Sequence, residues 1–243
     1  MRLPARRVWA TYGVLGLLGV VFLGQLALAP FAGDVDPILA LGAKVNTLIL
    51  QGEWWRLVTA IFIHGSLLHF FFNAYALFQL GREIERFYGA GRFLALFFYA
   101  GLAGSAASFL FSPAASVGAS GAVFGLIGAQ AVLLYRNRRL LGERARAGLQ
   151  NVLFIAGFNL FFGLQSGSRI DNWAHLGGLA GGLAMAWVLG PVWRPVLRPA
   201  AEPFTPPVVE LVDPAAGPTR WIAAGALGAG LLTLLAAAVW LQR

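Results

Sequence analysis

Apolar stretches alternate with short polar or basic segments along the whole chain. Seven of them fall at roughly 8–30, 66–84, 92–111, 120–135, 149–166, 173–191 and 221–241. As helices, rising about 1.5 Å per residue, they cross most or all of a hydrocarbon layer about 30 Å thick. The fourth is short, so its first turn is expected to stop below one surface, inside a recess. The first has the length of a spanning helix and no clean small-residue exit, so it reads as a retained helix rather than a removed signal peptide. The pattern predicts an all-α polytopic membrane protein.

Composition supports lipid as part of the solvent. The residues are 58% hydrophobic and 12% charged, about half the charge of a soluble domain, and 243 residues cannot bury that much apolar surface in a water-soluble core. The chain has no cysteine, which removes disulfides and thiolate metal sites. Three histidines, His64, His69 and His175, are too few for a dedicated metal cage, and no metal or other cofactor is expected.

The net charge of +8 raises nucleic acid as a partner, but the placement of the charges argues against it. Basic residues cluster between the apolar stretches, as in cytoplasmic membrane loops. With the N-terminus cytoplasmic, the inner segments hold fourteen Arg residues and the outer segments four basic residues, Lys44, Arg56, Arg169 and Arg243. This bias predicts a multi-pass cell-membrane protein with its N-terminus inside.

Three connections stand out. Residues 31–65 form a long, largely apolar outer segment with Trp54 and Trp55, and tryptophan favours the membrane interface. Residues 136–148 form a short basic inner loop. Residues 193–220 hold Pro195, Pro199, Pro203, Pro206, Pro207, Pro214 and Pro218 and read as a flexible cytoplasmic linker. The expected organisation is a six-helix core over 1–192, a linker over 193–220, and an added transmembrane helix over 221–243. No internal repeat of the transporter kind is visible.

Polar residues inside spans are costly and therefore candidates for function. Gly118-Ala119-Ser120-Gly121 opens the fourth span. A serine there is often a helix cap, although glycines also allow close backbone approach and leave amides to face an oxyanion. His175 lies in the first turn of the sixth span, which runs in the same direction as the fourth, so the two side chains should sit at similar depth. Gly121, Gly125 and Ala129, and Ala174, Gly178, Gly182 and Ala186, recur at intervals of four. Such faces pack helices closely and would bring a serine and a histidine within reach. In the second span His69 and Asn73 share a face, as oxyanion donors or as interhelical contacts. His64, just before that span, reads as a structural loop residue.

Taken together and in order, these motifs resemble the rhomboid proteases. The resemblance rests on Trp55-Arg56 in the first outer loop, His69 to Asn73, Gly118 to Gly121, and Ala174-His175 with Gly178 and Gly182. Gly81, Glu85 and Gly89 match a further family pattern. It implies an intramembrane serine endopeptidase with a Ser120–His175 dyad, and Asp171 is not assigned to a triad. His69, Asn73 and the Ser120 amide would hold the oxyanion, with Gly118, Gly121 and Gly178 supporting the site and Phe124 packing beside the histidine. The site would open to the outer face, the substrates would be transmembrane proteins, and a small residue would precede the cut. The competing classes are a catalytically inactive rhomboid-like binder of membrane helices and a small transporter. Substrate identity, oligomeric state and the role of the seventh helix are not legible.

Overall fold

A computed structural model of the protein describes residues 6–31, 36–165, 170–198, 208–214 and 217–242. Each of the seven apolar stretches forms one long helix. These are α1 (Ala10–Leu28), α5 (Leu67–Tyr88), α6 (Ala90–Phe111), α7 (Ser120–Arg136), α9 (Glu143–Gly163), α10 (Asn172–Leu189) and α11 (Pro218–Gln242). Short helices α2 (Pro37–Gly42), α3 (Asn46–Leu50) and α4 (Arg56–Thr59) fill the first long connection, and α8 (Arg138–Leu141) lies in the basic loop. Three helical segments, 10–31, 90–111 and 218–242, are long and apolar enough to span a membrane by length and composition alone. The others are shorter or carry more charge, and apart from one short two-stranded ribbon the fold is that of an all-α multi-pass membrane protein.

Helix α7 is the centre of the bundle. It packs against α5, α6, α9 and α10, and most of its residues are buried. It is also short, 17 residues against 22 in each of α5 and α6. The segment 112–119 therefore has to descend into the bundle before α7 begins.

The ends of the helices are set by specific polar contacts. Ser66 caps α5 by accepting from the His69 amide. Gly89, with φ of 85°, is the single residue between α5 and α6, a left-handed turn that favours glycine. Glu85 accepts hydrogen bonds at 2.7–2.9 Å from the amides of Trp9, Ala10 and Thr11 and from the Thr11 hydroxyl. The carboxylate thus satisfies the free N–H groups at the start of α1, where the helix dipole also favours negative charge. A side chain at Gly81 would meet Thr11, and one at Gly89 would overlap Arg6, which donates to the Tyr88 carbonyl at 3.0 Å. The Gly81–Glu85–Gly89 pattern is the docking surface for the entry of the first helix.

The connection before α5 is held together by side chains reaching backbone carbonyls. Arg56, 3% exposed, donates to the Ala40 and Ala43 carbonyls at 2.9 Å and pairs with Glu53 at 2.6 Å. Trp55 Nε1 donates to the Leu41 carbonyl, while the rings of Trp54 and Trp55 are exposed. The backbone of His64 exchanges two 3.0 Å hydrogen bonds with the Gln25 amide. Burial pushes the His64 imidazole down to about 4, with His69 beside it adding to the effect, so it is neutral at physiological pH.

The proline-rich stretch differs from the expected flexible linker. Strands β1 (Arg194–Arg198) and β2 (Val208–Val212) pair antiparallel, with Arg194 opposite Val212. The Val208–Val212 run is rich in β-branched residues, which favour strands, and Pro195 is tolerated because a two-stranded ribbon has only edge strands. Pro199, Pro203, Pro206 and Pro207 lie outside the described residues. Leu211 and Trp193 join the core of the bundle, and Asp213 pairs with Arg92 at 2.8 Å and Arg220 at 3.7 Å. The ribbon thereby fastens the start of α11 to α6. Further along, Leu235 and Val239 of α11 pack with Ile49, Leu57, Ala106 and Phe109.

Candidate active site

Small residues decide where the site lies, because they let α6, α7 and α10 touch backbone to backbone. A side chain at Gly178 would overlap the Gly121 carbonyl, and one at Gly182 would overlap Gly125. A Cβ at Gly121 would stand 3.2 Å from the Ala174 carbonyl oxygen, and one at Gly104 would stand 2.7 Å from it. The first turns of α7 and α10, which carry Ser120 and His175, are therefore side by side. The α7 and α10 faces were legible in the sequence. The matching stripe on α6, which includes Ala100, Ala103, Gly104 and Ala107, was missed, although its Ala-Gly-Leu-Ala-Gly-Ser-Ala-Ala string has the same small-residue spacing.

Ser120 is the first residue of α7, and the capping position before it is Ala119, which makes no side-chain cap bond. The helix-capping role open to this serine in the sequence is therefore not the one it has. Ser120 lines a recess together with Gly118, Gly121, Ala174, Ser105 and Lys44. Among the described residues, the amides of Ser120, Gly121 and Ala122 have no backbone acceptor. Free amides at a helix start, reinforced by the helix dipole, attract negative charge. The Gly118 amide is different. It donates to the Ala60 carbonyl at 2.8 Å, so it is not among the amides open to an oxyanion.

Gly118 instead supplies shape. Its φ of 117° is in the left-handed region that favours glycine, and a Cβ there would stand 2.6 Å from His69 Nε2 and 3.8 Å from Asn73 Nδ2. Both side chains of α5 thus point at the turn that leads into Ser120. The Asn73 amide also donates to the His69 carbonyl at 3.0 Å within its own helix. The His69 ring meets His64 edge-on at 5.1 Å between centroids.

His175 is buried, at 6% exposure, and lies flat on the Phe124 ring with centroids 4.1 Å apart and planes 12° apart. Among the described residues its Nδ1 has no hydrogen-bond partner, and no hydrogen bond joins it to Ser120. Such bonds in unliganded sites commonly tighten only with substrate bound. Asp171 does not contact the imidazole by a hydrogen bond. Its carboxylate accepts from the Ala174 amide at 3.0 Å and from the Ser108 hydroxyl, which caps α10. Among the described residues, no cluster of three or more His, Asp or Glu could hold a metal ion.

Residues 51–192 match the family model of the Rhomboid domain. The chain is 47% identical over 148 residues to Rhomboid protease GluP of Bacillus subtilis (strain 168), covering 61% of this chain and 28% of that protein. It is 36% identical over 158 residues to RHOMBOID-like protein 9, chloroplastic, of Arabidopsis thaliana, covering 63% and 36%. It is 35% identical over 157 residues to Rhomboid-like protease 1 of Toxoplasma gondii, covering 64% and 53%. The chain thus spans between about a quarter and a half of the length of these relatives.

Proposed function

The chain belongs to the rhomboid family, and from that premise we propose that it is an intramembrane serine endopeptidase that hydrolyses peptide bonds in or near transmembrane segments of other membrane proteins. The observation that carries this reading is the uncapped Ser120 at the start of α7. It lies beside the first turn of α10 and is fronted by His69 and Asn73 across Gly118.

In the proposed reaction His175 accepts the Ser120 proton as the oxygen attacks the scissile carbonyl. The tetrahedral oxyanion is held by the Ser120 amide and by the His69 and Asn73 side chains. His175 then gives its proton to the leaving amine, the C–N bond breaks, and an acyl-Ser120 ester remains. Water, deprotonated by His175, attacks that ester and returns Ser120 to its starting state. Phe124 holds the plane of the imidazole, and Gly121 and Gly178 set its distance from the serine. No step needs a metal or cofactor. A substrate helix must unwind locally to offer its peptide bond, which fits a small residue before the cut and a helix-weakening segment beyond it.

We read the N-terminus and the 193–220 segment as cytoplasmic, and the recess at Ser120 as opening to the opposite face of the cell membrane, because of the Arg and Lys distribution. Residues 1–192 form the catalytic unit in this reading, and 221–243 an appended helix. Reporter fusions at Pro207 and Arg243 should report opposite sides. The activity itself is tested by reconstituting the protein in vesicles with a single-span substrate. Cleavage should be lost in both Ser120→Ala and His175→Ala, and cleavage that survives in Ser120→Ala overturns the reading.

A further inference from the structure

Lys44 is an uncommon residue to find buried. It is 1% exposed, yet it belongs to the connection between α2 and α3, outside the spanning helices. Its ammonium donates to the Ser112 carbonyl at 2.7 Å and the Ala114 carbonyl at 2.9 Å. Its backbone exchanges two 3.0 Å hydrogen bonds with Ser116. Close by, Asn46 donates to the Phe109 and Ser112 carbonyls at 3.0 and 3.2 Å. Together they satisfy carbonyls at the end of α6, where a positive charge is also favoured by the helix dipole. They grip the segment 112–116 along its length.

That segment leads directly to Gly118 and Ser120. It carries no helix of its own, and it is the part of the chain that must descend into the bundle to start α7 at the right depth. The Gly118 amide then bonds to Ala60, so the turn before the nucleophile is tied twice to the connection between α1 and α5. The charge of Lys44 has a cost: burial pushes its pKa down to about 8 while Asp171 draws it up. A residue needed only to fill space there would be apolar.

On the reading that Ser120 is the nucleophile, we propose that Lys44 is a positioning residue for Ser120, its ammonium holding the 112–116 segment so that the hydroxyl and the free amides of α7 stand in register with His175 and His69. Small displacements of a reacting group cost rate rather than substrate affinity.

The test uses the full chain in detergent, with a fluorophosphonate probe and a peptide substrate, and with folded protein measured beside each rate. In Lys44→Met, probe labelling per folded molecule and kcat should both fall by about ten- to a hundredfold, with KM within about twofold. Lys44→Arg, which keeps the charge and the donors, should recover most of the loss. Labelling and kcat in Lys44→Met within about twofold of the wild type, with only a lower melting temperature, would overturn the proposal while leaving the protease reading intact. A wild type that the probe does not label would overturn that reading instead, and the proposal with it. If Lys44→Met does not fold, Lys44→Gln grades the same contact. The proposal requires its labelling rate to fall below that of Lys44→Arg, and equal rates overturn it.

Discussion

Phe124 and His175 lie face to face, with ring centroids 4.1 Å apart and planes 12° apart. The stack fixes the plane of the imidazole from one side, and α10 carries it on the other. Aromatic pairs of this kind contribute about 0.5–1.5 kcal/mol beyond their buried area, but here orientation matters more than stability. Phe124→Leu should lower kcat about tenfold, since an imidazole free to rotate spends less time aimed at Ser120. Phe124→Tyr keeps the ring and should stay close to wild type. Steady-state cleavage of a peptide substrate by the two variants checks this. Equal kcat in Phe124→Leu and wild type would remove the stack from the mechanism.

Gly178 packs against the backbone of α7, and any side chain there collides with the Gly121 carbonyl. Backbone cannot yield as a side chain does, so Gly178→Ala should lower stability by about 1–3 kcal/mol or more and reduce activity at the same time. Gly225 on α11 faces open space, and Gly225→Ala should be neutral or stabilising by up to about 1 kcal/mol. Thermal unfolding of both variants in one detergent distinguishes a specific contact from a general intolerance to larger residues.

Much of this architecture was legible because lipid imposes it. Long apolar stretches must be helices when no water can satisfy the backbone, and the stretches around Ser120 and His175 declared their small-residue faces through Gly121, Gly125, Gly178 and Gly182. The remainder depends on contacts between residues far apart in sequence. The helices α2, α3 and α4 are only four to six residues long, too short for a periodic signal, and they are held by Arg56, Trp55 and Lys44 reaching carbonyls elsewhere. In the sequence Lys44 shows only as an outer positive charge. The ribbon in the proline-rich stretch was hidden by its prolines, although Val208–Val212 has strand composition. The glycine at 118 suggests a free amide, and its pairing with Ala60 cannot be inferred from either residue alone.

Asn73 separates packing from chemistry in α5. It is 6% exposed, and its amide already bonds to the His69 carbonyl, so a structural role alone would make Asn73→Ala a destabilised enzyme with normal turnover. A role at the oxyanion predicts the reverse, a kcat lower by up to about a hundred- to a thousandfold with a nearly unchanged melting temperature. The loss will be smaller if His69 and the Ser120 amide carry most of the charge. Turnover and melting temperature measured on one preparation decide between them, and unchanged turnover beside a lower melting temperature would take Asn73 out of the site.

The proposed mechanism makes Ser120 a nucleophile activated by His175. Its most direct measurement is peptide mapping by mass spectrometry of protein treated with a fluorophosphonate. The wild type should carry a single adduct, on Ser120, and His175→Ala none when that variant is folded to the same extent. An adduct on another serine, or labelling of folded His175→Ala at the wild-type rate, would contradict it.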